Sequence, residues 1–188
     1  VSEKGFAEGA CLPPLHEVVR RASSTSPAEA AMNLSDDLRR ALRQVASSVA
    51  IVAAHGTSNP IGMTATALSV VSLTPPALLV CVNRTCQLHT AILERRAFRI
   101  SYLSQAQSEV ASVFGGGRAQ EERFAVGSWD LDAAHGPALR GSLASFGCSL
   151  SSQLDHGTHT IFVGTVEDVR FGSERPLLYR DGAYCRVV

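Results

Sequence analysis

From Ala144 to Ser151 the chain alternates without a break. Ala144, Phe146, Cys148 and Leu150 are apolar or thiol-bearing, and Ser145, Gly147, Ser149 and Ser151 are small and polar or bare. A period of two places these two sets on opposite faces of a strand, one face toward a core and one toward water. A strand of that kind is stable only beside other strands, so it commits this part of the chain to a sheet. Asp155 to Thr158 reads as a turn and Thr160 to Val169 as the next strand. Leu177 to Tyr179 and Ala183 to Val188 flank Asp181-Gly182, the strongest short signal for a two-residue hairpin.

The earlier part supplies further strands and a few helices. Val49 to Ala54 reads as a buried strand and His55 to Pro60 as turn chemistry. Ile61 to Ser72, rich in Thr, Val and small residues, reads as one strand, stopped by Thr74-Pro75-Pro76 because proline cannot donate to a ladder. Ala77 to Val82 and Phe98 to Leu103 are two more strands. Leu88 to Arg96 and Gln105 to Phe114 read as helices, the second ended by Gly115-Gly116-Gly117. Many short strands with few helices predict a mainly β, antiparallel barrel. At the front, Ser35 is placed to cap a helix, with Asp36 and Asp37 in its first turn and Leu38, Leu42, Val45 and Val49 on one apolar face. Residues 1–34 read as a partly ordered extension with a short helix near Leu15 to Arg21, and 35–188 as the domain.

Charge and composition exclude several classes. The chain has 17 basic and 17 acidic residues and no basic run, so no nucleic-acid or anionic-membrane partner is expected. No apolar stretch reaches the roughly 20 residues of a membrane helix. The first residues, VSEKGFAEGACLPP, lack a charged-then-apolar leader, so a cytoplasmic location is expected. The five cysteines, Cys11, Cys81, Cys86, Cys148 and Cys185, are odd in number and form no CxxC pair. They read as free thiols in a reducing compartment. His156 and His159 are three apart, but no carboxylate or thiol set completes a tetrahedral site, so no metal is expected. Gly115-Gly116-Gly117-Arg118 is not GxGxxG and follows a helix, so a Rossmann unit is not supported.

Two segments suit a flat, phosphorylated ligand. The first is Gly62-Met63-Thr64-Ala65-Thr66-Ala67-Leu68-Ser69. Its small residues let a ring system approach the backbone, and Thr64 and Thr66 put hydroxyls on one face. Taken alone it reads more readily as an ordinary strand. The second is Asn83-Arg84-Thr85-Cys86-Gln87-Leu88-His89-Thr90, a strand end entering a helix. Helix-start amides, the Arg84 fork and the Thr85 hydroxyl together suit a phosphate. An ordinary capped turn explains the same residues.

The two segments in this order resemble the short-chain flavin reductase family, whose members include the reductase components of two-component monooxygenases such as that of 4-hydroxyphenylacetate 3-monooxygenase. The resemblance rests on GMTATALSVVSLTPPALLVCVNR, EERF (Glu121 to Phe124), LRGSLASFGCSL, GTHTIFVGTVEDV and PLLYRDGAY, and covers Ser35 to the C-terminus. It implies an FMN-binding split β-barrel that works as a homodimer. Gly62, Met63, Thr64, Ala65, Thr66, Leu68 and Ser69 would line the isoalloxazine and ribityl chain. Asn83, Arg84, Thr85, His89 and Thr90 would hold the phosphate end. His159 would meet the nicotinamide, with Tyr179 and Arg180 bordering the site.

The activity so implied is NAD(P)H-dependent reduction of FMN, or of FAD, to supply a partner flavin-dependent monooxygenase. Two other readings stay open. The FMN would be retained and pass electrons to another acceptor, such as a cob(II)alamin-type corrinoid, or the chain would bind flavin without turnover. Neither NADH nor NADPH is favoured by the residues.

Overall fold

The computed structural model describes residues 27–116 and 118–186. The chain divides after Gln44. The described residues of the first unit form a helix, α1 (Pro27–Arg43). It begins well before Ser35, which therefore does not cap it. Ser35 lies inside the helix, and its hydroxyl donates to the Ala31 carbonyl at 3.1 Å. The stronger start signal is Pro27, because the first turn needs no amide partner and proline already has the helical φ. Asp36 and Asp37 pair with Arg39 and Arg40 one turn on. Leu38 and Leu42 are exposed, whereas Val45 and Val49 lie past the helix end and share no helical face with them. The expected helix near Leu15 to Arg21 lies outside the described residues, as does Cys11.

The second unit is mostly β, with antiparallel pairing throughout. Its main sheet has seven strands in the order β3-β2-β6-β9-β10-β5-β4. They are β2 (Ala50–His55), β3 (Pro60–Ala65), β4 (Leu68–Leu73), β5 (Pro76–Asn83), β6 (Ala97–Tyr102), β9 (Ala144–His156) and β10 (His159–Phe171). The long strand expected over Ile61 to Ser72 is two strands, broken at Thr66-Ala67. These two strands are the opposite edges of the sheet. Three Cα steps join Ala65 to Leu68 and span at most roughly 11 Å. The sheet must therefore curve until its two edges approach each other at this linker.

Smaller elements close the ends. β1 (Ser47–Ser48), β11 (Leu177–Arg180) and β12 (Ala183–Arg186) form a separate small sheet. Its hairpin turns at Asp181 and Gly182, both with positive φ (49° and 83°), which is what the Asp-Gly pair supplies at least cost. Helix α2 (Gln87–Arg95) follows β5, and a short 3₁₀ turn leads into α3 (Ser108–Phe114) and α4 (Gln120–Arg123). Strands β7 (Trp129–Asp130) and β8 (Ala138–Leu139) pair across a loop.

Two apolar clusters hold the unit together. One lies among β2, β5, β6, β9, β10 and α2, with Val52, Val80, Leu88, Ile92, Phe98 and Phe162 fully buried. The other joins β2 to α3 and β11 through Val49, Ile51, Phe114 and Leu177. Each large side chain so buried contributes roughly 1.5–3 kcal/mol. Cys148 is in the first cluster, and burial pushes its thiol up to about 12, so it stays protonated and inert.

The alternation at Ala144 to Ser151 is present in β9, but the first half of its polar face does not meet water, and only Ser151 at its far end is exposed. Ser145 and Gly147 are buried too. What covers them is the side chain of Arg99 from β6, only 1 % exposed. Arg99 donates to the Gly136 carbonyl at 3.0 Å, to Ser145 Oγ at 3.3 Å and to Asp168 Oδ2 at 2.6 Å. A charge can be buried this way only because its hydrogen bonds and its counter-charge are all supplied. The strand also runs on to His156, so Asp155 and His156, expected in the turn, are paired with Thr160 and His159. Only Gly157 and Thr158 turn.

Candidate active site

The linker between the sheet edges carries the first candidate segment. Gly62 is buried on edge strand β3, where no further strand can take its outward-facing groups. Side chains of α4 do so instead. The Gly62 amide donates to Gln120 Oε1 at 3.2 Å, and its carbonyl accepts from Arg123 Nη1 at 3.0 Å. A Cβ at position 62 would lie 2.8 Å from Phe114 Cε1, a ring that is itself buried and packed on Phe124 and Trp129. Gly62→Ala should therefore destabilise the protein by about 1–3 kcal/mol, read as a lower urea midpoint with an unchanged m-value.

Thr64 and Thr66 open a cavity of about 350 Å³. The Thr64 hydroxyl donates to the Ala111 carbonyl of α3 at 2.6 Å, so it is held in place rather than free to turn. Val49, Gly115, Tyr179 and Tyr184 complete the wall. Thr66 and Leu68 also border a second hollow of about 200 Å³, with Ser47, Ser48 and Tyr102. The two tyrosines pack edge to face, with centroids 5.5 Å apart, and bring the C-terminal hairpin to the cavity.

The other candidate segment opens a third cavity of about 570 Å³, lined by Asn83, Arg84, Thr85, His89, Gly157 and Thr158. Asn83 Oδ1 accepts from both the Thr85 amide (3.0 Å) and the Thr85 hydroxyl (2.9 Å), so the Thr85 proton is spent on the turn itself. Arg84 is different. Its amide is fixed to the Thr158 carbonyl at 3.0 Å, while its exposed guanidinium has no partner among the described residues. A free guanidinium above a helix start is an anion-binding arrangement.

The structure thus gathers Thr64 with Thr66, Thr66 with Leu68, and Asn83, Arg84 and Thr85 with His89. The remaining candidates line none of these cavities. Met63 packs on the core, with Cys86 Sγ 4.0 Å from its sulfur. Ala65 is buried in the core. Ser69 is exposed and donates to the Val70 carbonyl. Thr90 is exposed on α2. His159 is exposed at the start of β10, is the register partner of Asn83, and has its Nδ1 2.9 Å from the Thr158 hydroxyl. It stands at the Arg84 end of the sheet, not in the wall that holds Thr64. Arg180 lines none of them, whereas Tyr184, Ser112 and the Gly157-Thr158 turn do. Those residues carry no sequence signal of their own, because only the register places them there.

Residues 42–188 match the flavin reductase like domain. The chain is 34 % identical over 149 residues to the FMN reductase (NADH) RutF of Agrobacterium fabrum, covering 79 % of this chain and 86 % of that protein. It is likewise 34 % identical over 155 residues to the reductase component of the FADH(2)-dependent resorcinol hydroxylase of a Rhizobium strain, covering 81 % and 87 %. Among solved structures, BorF, the flavin reductase component of a bacterial two-component tryptophan halogenase, superposes with a TM-score of 0.75 at 34 % identity, over 81 % of this chain and 98 % of that one. The NADH:FAD oxidoreductase SgcE6 of Streptomyces globisporus gives 0.75 at 29 %, over 80 % and 92 %. A family match across most of the chain, relatives above 30 % identity, and cavities built from the two segments lead to one conclusion: this chain belongs to the flavin reductase like domain family.

Proposed function

We propose that the protein is an NADH-dependent flavin reductase that acts on FMN, and on FAD where the site admits it, and releases the reduced flavin to a partner oxygenase. The observation that carries this is the Arg84 cavity. An unpartnered guanidinium beside the α2 start and the Gly157-Thr158 turn suits the phosphate of a flavin nucleotide and has no structural task of its own. The curved sheet with β3 and β4 as its two edges is read as the split barrel of the family. The wall of Thr64, Thr66, Tyr179 and Tyr184 is read as the flavin-ring side. NADPH and the retained-flavin route to a corrinoid or other acceptor have no observation in their favour.

The chemistry that bound flavin supplies is acceptance of a hydride from the nicotinamide. This chain's part is to bind, orient and exclude water. Arg84 takes the phosphate charge, and the Thr64 hydroxyl, its proton given to the Ala111 carbonyl, is left to act as an acceptor. His159 is proposed as the residue that orients the nicotinamide. His159→Ala should then raise the KM for NADH by about tenfold while the Kd for FMN changes less than twofold. A larger effect on FMN would move His159 to the phosphate end, where its register partner Asn83 sits.

A homodimer fits the exposed apolar side chains of edge strand β4, Val70, Val71 and Leu73, together with Phe171 at the end of β10, 89 % exposed. Among the described residues no helix is long and apolar enough to cross a membrane, and the proposed location is the cytoplasm. The deciding experiment is anaerobic mixing of the protein with FMN and then NADH. Rapid bleaching of the oxidised-flavin band, with turnover when flavin is added in excess, is the expected result. Flavin that binds and stays oxidised would leave only a binding role.

A further inference from the structure

His89 lines the cavity at the Arg84 end and is hydrogen-bonded from behind it. It lies in the first turn of α2, with its ring against Phe162, centroids 5.2 Å apart. Its Nε2 is 2.9 Å from Thr160 Oγ1. Thr160 is fully buried, and its hydroxyl is 2.5 Å from Asp155 Oδ1. A hydroxyl has one proton, and an ionised carboxylate can only accept. The Thr160 proton therefore goes to Asp155, and Thr160 Oγ1 must accept from His89. This assigns His89 the Nε2–H tautomer and leaves Nδ1 as the ring atom available to a ligand.

That assignment has a consequence for an anion. A neutral imidazole held this way offers a lone pair at Nδ1, which repels a phosphate dianion. The contact becomes favourable only when one proton sits between Nδ1 and a phosphate oxygen. Near pH 8 a phosphate monoester, whose second proton leaves near ~6, is a dianion and brings no proton, and the Nε2–H tautomer has none at Nδ1. It must come from solvent. The other charged or titratable groups at this end are Arg84 in the β5–α2 turn, Cys86 at the start of α2, and His156 and His159 facing each other across the β9–β10 turn. The remaining elements packed on α2 meet it through core residues such as Ala54, Met63 and Phe98.

Resting on the flavin reading above, we propose that Asp155 and Thr160 are positioning residues that make binding of a flavin phosphate take up one proton at His89. Riboflavin, which lacks the phosphate, takes up none. The proton moves from the buffer to the Nδ1–phosphate contact, and no other bond changes. In Asp155→Asn the amide can donate to Thr160, the Thr160 hydroxyl turns to Nε2, and neutral His89 carries its proton on Nδ1. In Thr160→Val nothing holds the Nε2–H form, so the same tautomer becomes available. Both variants should bind FMN without uptake.

The test is titration calorimetry of FMN and of riboflavin at pH 8, in two phosphate-free buffers of different ionisation enthalpy. The wild-type protein should take up close to one proton with FMN and none with riboflavin. Its FMN Kd should rise about tenfold per pH unit over the range in which one proton is taken up. Both variants should lose the uptake and flatten that profile, with riboflavin affinity unchanged as the check that they are folded. Two results overturn the relay while leaving the phosphate site standing. In one, FMN binds more tightly than riboflavin but with no uptake. In the other, the uptake persists in both variants. If wild-type protein binds FMN and riboflavin alike, the phosphate site itself fails and the relay with it.

Discussion

Replacement of Arg84 by glutamine should raise the KM for FMN by roughly 10- to 100-fold and leave that for riboflavin within about twofold. The magnitude is that of one charge-assisted hydrogen bond, about 1.5–3 kcal/mol. Among the described residues Arg84 makes no side-chain contact that the fold relies on, so its loss should leave the melting temperature unchanged. That separation makes the variant informative, because a structural role would move stability as well. Raising ionic strength should weaken FMN binding to the wild-type protein more than to the variant, since the site is open to solvent. Equal weakening of FMN and riboflavin would remove Arg84 from the phosphate.

The second large effect concerns stability. Asp168→Ala leaves the Arg99 guanidinium buried without its counter-charge. Breaking a buried pair from one side costs about 3–5 kcal/mol. The Asp168 side chain is 37 % exposed and so is partly screened, which brings the expected loss to about 2–3 kcal/mol. For a chain of this size the melting temperature should fall by roughly 5–10 °C. Arg99→Met, which removes the charge along with its partner's need, should cost less. The pair also sets a pH limit. The hydrogen bond from Arg99 holds the Asp168 carboxyl below the usual carboxylate range. A depressed folded-state value means that the contribution is fully present above about pH 4, the unfolded value, and is lost as pH falls further. An Asp168→Asn protein should therefore show a flatter loss of stability below pH 4. A slope identical to wild type would mean that other carboxylates carry the acid sensitivity.

The sequence reading succeeded where local chemistry decides conformation. Asp181-Gly182 names its hairpin because two successive positive φ values suit few residue pairs. The proline pair at Pro75-Pro76 ends β4 for an equally local reason. It failed where the deciding partner is remote. Thr66-Ala67 carries no glycine or proline, so nothing local shows that the chain crosses there from one edge of the sheet to the other. Ser145 and Gly147 look like a solvent face until Arg99 is seen lying over them. The site shows the same division. Asn83, Arg84 and Thr85 announce an anion site by their own types. The partner of His89, Thr160, is 71 residues away and becomes visible only when β10 is paired with β5.

The strand order also bears on how the chain is made. β9 and β10 occupy the middle of the sheet, yet they are the last of its strands to be synthesised. Until they emerge, β6 lacks its β9 partner and β5 lacks its β10 partner, and the β3–β2–β6 and β5–β4 parts of the sheet have nothing to join them. The nascent chain must therefore wait on the ribosome with two open strand edges, and folding is governed by a late step of high contact order rather than by early hairpin formation. A chain stopped before Ala144 loses the centre of its sheet, not a dispensable tail.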